Sequence, residues 1–208
     1  MMLGQTIDEF YHRREPKLGT PMLTVQHLTR LGFVHDISFE LQTLGIYAIV
    51  RHIPGTLPFC ACSFAPITEL GSYAPEMKLL AMDNAKLETE GTMQLVSVWL
   101  TKHGDNLKGI ILAGDGFSMT GTLEAVKKAG RSDLIIVAAG NSKTGMDSIM
   151  AGEALAITYQ SAEGCVAIAV RAAARWFRGE VLDSVIYLPK HIITPRDVAN
   201  FMPAQWLV

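Results

Sequence analysis

Cysteine is scarce: three occur in 208 residues, at positions 60, 62 and 165. An odd count excludes a fully paired disulfide framework. Cys60-Ala61-Cys62 is too tight for a zinc knuckle and has no second Cys or His pair at ligand spacing. The three read as small apolar residues, as free cysteines usually are, and no metal site is expected. Charge is sparse too. Only 18% of residues are charged and the net charge is −2, so there is no basic excess to hold a phosphate backbone and nucleic acid is not an expected partner. The short run His12-Arg13-Arg14, followed by Glu15, reads as solvated surface. No apolar run reaches the roughly 18 residues needed to span a bilayer. The first turns of sequence, with Asp8, Glu9, Arg13 and Arg14, do not resemble a signal peptide. As written, such a chain would stay in the cytoplasm, unless it is a fragment.

Motifs of reaction chemistry are lacking as well. Gly114-Asp115-Gly116 follows an apolar run, as a phosphate cradle would, but no Gly-Lys-Ser/Thr comes after it. Gly114, Gly116 and Gly121 miss the dinucleotide spacing, and Gly-x-Ser-x-Gly is absent. His103 reads as a dipole partner at a helix end, and His191 has no partner in sight. No cofactor and no catalytic role are expected. Asp115 reads as a strand-to-helix turn residue accepting backbone N–H groups at the helix start.

What is present is a large apolar fraction, 49%, enough for a substantial core. From about residue 45 two patterns alternate. Short apolar runs at 46–50, 78–82, 110–113, 134–139, 155–159 and 185–188 read as strands. Segments with helical spacing read as helices over 88–103, 118–128, 144–151 and 162–177. Ser118 or Thr120 is a plausible N-cap for the second of these. Thr194-Pro195 looks like a helix start with Thr as cap and Pro at the first position. Trp99 and Trp176 fall on helical segments and read as packing residues. This alternation implies parallel βαβ units in a doubly wound α/β sheet. Ligands of such sheets bind beyond the carboxyl ends of the strands. The residues to watch are therefore Pro54-Gly55-Thr56, Asp83-Asn84, Gly114 to Phe117, Gly140 to Lys143, and Gln160-Ser161. Residues 1–44 lack the repeat; helical spacing occurs at 6–14 and 25–31.

The stretches "WLTKHGDNLKGIILAGDGFSMTGTLEAVKKAGRSDLIIVAAGNSKTGMDSIMAGEALAITYQSAEGCVAIAVRAAARWFRGE" and "IYLPKHIITPRDV" carry a joint order of features. Together they resemble the periplasmic sugar-binding proteins of the ribose-binding (type I) family, the solute receptors of ABC importers. The resemblance runs over about 46–198 and implies two α/β lobes closing around a sugar or polyol, delivery to a membrane permease, and a periplasmic location. It implies that 45–160 form the second lobe, that 161–208 return through a hinge, that the first lobe is mostly absent from this chain, and that 1–44 match poorly. Carried over residue by residue, it points to Asp115, Phe117, Asn141 and Gln160 as ligand-binding residues. The family's ligand asparagine stands here as Gly114, a second ligand aspartate falls at Gly140, its arginine near Cys60 and an aromatic at Leu87. The alternative from the same fold is the effector domain of a LacI-type transcription regulator, which would need an N-terminal helix-turn-helix that 1–44 do not convincingly supply.

Overall fold

The computed structural model describes residues 21–30, 34–42 and 46–205. The chain divides into two compact units, Met1–Gly45 and Ile46–Val208. In the first unit, β1 (Pro21–Arg30) and β2 (Val34–Gln42) pair antiparallel, with Thr24 opposite Glu40 and Leu28 opposite Ile37. The helix expected from 25 onward is therefore a strand through Arg30. Val25 and Leu28 are spaced as on a helix face, but cross-strand pairing overrides a local pattern this short. The helix expected over 6–14 lies outside the described residues.

The second unit alternates strands and helices: β3 (Ile46–Arg51), α1 (Leu57–Tyr73), β4 (Lys78–Asn84), α2 (Thr89–His103), β5 (Gly109–Leu112), α3 (Phe117–Lys128), β6 (Ile135–Ala139), α4 (Lys143–Met150), β7 (Ala156–Thr158), α5 (Ala162–Phe177) and β8 (Ile192–Ile193). The strands form one sheet in the order β4-β3-β5-β6-β7-β8. All neighbours are parallel except β7 and β8, which are antiparallel. This is the doubly wound α/β sheet expected from the alternation. The chain steps from β3 to β4 in one direction, then crosses β3 to reach β5 and continues the other way. The winding reverses between β3 and β5, which places the topological switch point at their carboxyl ends.

Strand alternation decides which residues meet the core. Ala48 and Val50 of β3, Ile110 and Leu112 of β5, Ile136 and Ala138 of β6, Ile157 and Ile193 share one buried cluster with Val96, Trp99, Met119, Leu123, Met146 and Ile149 from the helices. Each large aliphatic side chain buried this way stabilises the unit by about 1.5–3 kcal/mol. The helices α2 and α3 approach closely at Gly121, where a Cβ would lie 2.2 Å from the Thr89 carbonyl oxygen. Gly121 thus serves packing, not a phosphate loop. On the other face, Tyr47 and Ile49 are buried on β3, whereas Ile135 on β6 is 45% exposed.

The long helix α1 forms where the sequence shows no clear helical pattern. Pro58 near its N-terminus fits, since the first-turn N–H groups have no intrahelical acceptor, but Pro66 lies inside it and hides the helical signal. Helix α5 forms as expected yet has no buried residue, and Trp176 is 66% exposed, so it is not a core residue of this unit. The strand expected over 185–188 does not form: Val185, Ile186 and Tyr187 are exposed. The last strand is instead β8, whose Ile193 is fully buried. Nor does Thr194 cap an α-helix. The Asp197 carboxylate accepts bonds from the Thr194 N–H (2.7 Å) and hydroxyl (2.9 Å), closing a turn before a short 3-10 segment at Val198–Phe201.

Candidate functional site at the carboxyl edge of the sheet

Because β3 to β7 are parallel, the loops that follow them open at one edge. Helix α3 begins at Phe117 with Gly116 in the cap position, so neither Ser118 nor Thr120 is its cap. Ser118 lies one residue inside the helix and is 1% exposed, and its hydroxyl has no hydrogen-bond partner among the described residues. Asp115, expected to accept N–H groups at the start of α3, reaches instead to the start of α4. Its Oδ2 accepts the Ser142 N–H at 2.7 Å, and the Ser142 hydroxyl donates to the Asp115 carbonyl at 3.2 Å. The Ser142 Oγ also accepts the Gly145 N–H at 3.2 Å and so caps α4.

The space around this carboxylate is fully used. A Cβ on Gly140 would stand 2.2 Å from Asp115 Oδ1, and one on Gly145 2.0 Å from Oδ2. Gly140 also has φ +119°, a conformation that side chains disfavour. Asp115 is 6% exposed. Burial pushes its pKa up, with the Ser142 hydrogen bonds opposing the shift in part.

The next loop is laced to its neighbour in the same way. Asn141 is 2% exposed, and its Oδ1 accepts the Gln160 N–H at 2.9 Å. The Gly140 N–H donates to the Thr158 hydroxyl at 3.0 Å. The loops after β5, β6 and β7 are therefore joined by side-chain-to-backbone bonds, buried at Asp115 and Ser142 and more exposed toward Thr158 and Gln160. Of the four residues expected at the site, Asp115, Asn141 and Gln160 belong to this connected lip. Asp115 and Asn141 are sealed inside it, whereas Gln160 is exposed. Phe117 stands on the first turn of α3 with 57% of its surface exposed.

Two departures from the sugar-receptor pattern lie against each other. A Cβ at Gly114 would meet the Leu87 side chain at 3.4 Å. Lys86 and Leu87, in the loop after β4, both have positive φ, +53° and +58°. Two consecutive left-handed residues without glycine mark a loop held in one shape by its surroundings.

The end of β3 adds a cation to this edge. Arg51 is its last residue, and the guanidinium carbon lies 5.4 Å from the ring centroid of Phe59 in the first turn of α1. Its Nη2 is 3.9 Å from Asp83 Oδ1 at the end of β4. The Asn84 amide donates to the carbonyls of Arg51 and His52 and fixes the chain where it leaves β3. The sequence signal is the apolar run, which stops at Val50, so the next side chain must lie at the carboxyl edge. At the same edge, where its carbonyl accepts the Tyr159 N–H just past β7, His191 does have a side-chain partner, Asp197 Oδ2 at 2.6 Å from Nε2. Among the described residues, no cluster of three or more His, Cys, Asp or Glu is placed to hold a metal, and no helix is long and apolar enough to cross a membrane.

Residues 42–180 match the periplasmic binding protein domain, and the chain belongs to that family. The xylitol-binding protein of Mycolicibacterium smegmatis is 23% identical over 135 residues, which is 59% of this chain and 38% of that protein. The D-apiose import binding protein of Actinobacillus succinogenes is 38% identical over 79 residues, 38% of this chain and 24% of that one. The crystal structure of an ABC transporter periplasmic solute-binding protein from Actinobacillus succinogenes, with bound D-allose, has the same fold. Its TM-score is 0.67 at 24% identity, covering 75% of this chain and 55% of that one. This chain therefore spans well under half the length of these curated relatives and about half of the solved structure. The family is that of periplasmic binding protein domains, and the fold is the one seen in that D-allose-bound structure.

Proposed function

We propose that this chain contributes the second-lobe half of a site for a neutral sugar or polyol, taken up by an ABC-type importer. The observation that carries the reading is the carboxyl edge itself. Phe117, exposed on the first turn of α3, and Gln160, exposed on the loop after β7, stand on segments that Asp115, Ser142 and Asn141 hold in register. Planar polar groups bond sugar hydroxyls, and an aromatic ring covers the apolar face of the sugar. Phe117 and Gln160 are the direct contacts in this reading. Asp115 and Asn141 act from beneath, since neither offers more than a sliver of surface to a ligand. Two curated relatives named for xylitol and D-apiose support the ligand class.

In this reading the ligand is held as two lobes close over it, and the closed receptor docks on a permease at the outer face of the membrane. The protein binds and releases its ligand without transforming it. Calorimetric titration of the full gene product with ribose, arabinose, xylitol and inositol tests this. Saturable binding of at least one of them, with Phe117→Ala weakening it, supports the reading. Absence of heat with the whole panel defeats it.

A further inference from the structure

We infer that Arg51, with Phe59 and Asp83, forms a polar clamp for a pair of neighbouring hydroxyls on that same ligand, an inference that rests on the function proposed above. Its position comes from the topology. Arg51 ends β3, next to the point between β3 and β5 where the winding of the sheet reverses. In open α/β sheets the ligand crevice forms at that point. Tyr47, Ile49 and Arg51 alternate onto one face of β3, and the guanidinium extends over Phe59 at the start of α1. A cation within about 6 Å of a ring centroid is held by the ring's charge distribution.

Among the described residues the guanidinium is placed but not fully satisfied. Its Nε is buried without an acceptor among the described residues. The 3.9 Å separation from Asp83 Oδ1 is an ion-pair distance and too long for a hydrogen bond. Arg51 offers five N–H donors in a rigid fork and no acceptor. A guanidinium in a partly buried position ordinarily spends those donors on carboxylates or carbonyls, as Arg131 does elsewhere in this chain.

The chemistry selects the ligand class. Asp83 is 63% exposed beside the guanidinium and supplies acceptors where Arg51 supplies donors. A vicinal diol needs both, because each hydroxyl donates one bond and accepts others. An anionic ligand would meet the Asp83 carboxylate, so this pair favours neutral hydroxyl groups over a sugar acid or phosphate. Phe59 adds an apolar surface beside the fork.

The test is titration of the full gene product and its variants with whichever neutral sugar or polyol binds the wild type, and with the matching sugar acid. Arg51→Gln is expected to weaken neutral binding at least tenfold, and Arg51→Lys to recover only part of it because an ammonium lacks the fork. Asp83→Asn is expected to narrow the preference for the neutral ligand over the acid at least fivefold. Wild-type affinity in Arg51→Gln overturns the clamp while leaving the proposed function intact. A wild type that binds none of the neutral ligands overturns both. If Arg51→Gln fails to fold by circular dichroism, Asp83→Asn decides: an unchanged preference overturns the clamp.

Discussion

Asp115 and Ser142 lie on different loops, yet the Asp115 carboxylate accepts the Ser142 N–H at 2.7 Å while the Ser142 hydroxyl returns a bond to the Asp115 carbonyl. This reciprocal pair joins the start of α3 to the start of α4 and is closed to solvent. Burial raises the Asp115 pKa above its ordinary 3.8. The folded state therefore holds the proton more tightly than the unfolded chain. The stability linked to that proton is fully present below the ordinary value and is lost as pH rises through the raised folded value. Asp115→Asn keeps an acceptor for Ser142 but has no such titration. From pH 3.8 upward, the wild type should lose stability relative to Asp115→Asn, measured as the difference in calorimetric melting temperature. Parallel curves for the two proteins would show that the carboxylate is not desolvated.

Gly145 lies in the first turn of α4 against the same carboxylate. Alanine normally stabilises a helix interior over glycine by about 0.5–1 kcal/mol, and Gly71 in α1, with open space around it, should follow that rule. Gly145→Ala should do the reverse and cost about 1–3 kcal/mol, the usual range for overpacking. Much of that loss should return when Asp115→Ala is added. Denaturant unfolding of the two single variants and the double variant measures the coupling. Strict additivity would mean that the carboxylate moves aside freely.

Arg131 works at the opposite edge of the sheet. Its guanidinium donates to the carbonyls of Gly104 (2.7 Å) and Leu107 (2.9 Å) and to Asp133 (2.7 and 2.9 Å). It thereby ties the chain entering β5 to the chain entering β6. Arg131→Ala leaves those carbonyls short of a donor and should cost roughly 2 kcal/mol. Ligand affinity should be unchanged, because the variant acts far from the carboxyl edge. A stability loss together with a large affinity loss would refute that separation.

Phe117 and Gln160 carry the opposite expectation. Both are exposed, so Phe117→Ala and Gln160→Ala should leave ligand-free stability within about 0.5 kcal/mol. Each should weaken ligand binding several-fold. Equal affinity in both variants, measured by titration calorimetry, would remove them from the contact surface.

Much of the sheet could be read from the chain because its strands are apolar runs with helices between them. Ile110 to Ala113 and Leu134 to Ala139 need only their composition to be seen as strands. The sequence misled where an apolar run is not buried. Val185, Ile186 and Tyr187 look like a strand, but exposure is decided by what packs on a segment, which four residues do not reveal. Two-residue β8 gives no periodic signal at all. Helix α1 was hidden by Pro66, although a long helix tolerates one missing N–H when its face packs on β3. At the carboxyl edge, the loop glycines were visible but their purpose was not. Gly140 and Gly145 are explained by Asp115, which lies at least 25 positions earlier in the chain and reaches them only through the fold. Arg51 carries no signal of its own in the sequence, because a single arginine after an apolar run looks the same whether it is the strand's last residue or solvated loop.

The apolar face left open on α5 determines how the protein can be observed. Val166, Val170, Trp176 and Phe177 are each more than 60% exposed, so a dye that brightens on apolar surface will bind the folded chain and blur its melting curve. Among the described residues the two tryptophans divide the task differently. Trp99 is 6% exposed within the core cluster, and its emission should shift to longer wavelength only when the core opens. Trp176 already faces water, and its emission should move to shorter wavelength when something covers α5. The emission of these two tryptophans thus carries two opposite signals, red for unfolding and blue for association.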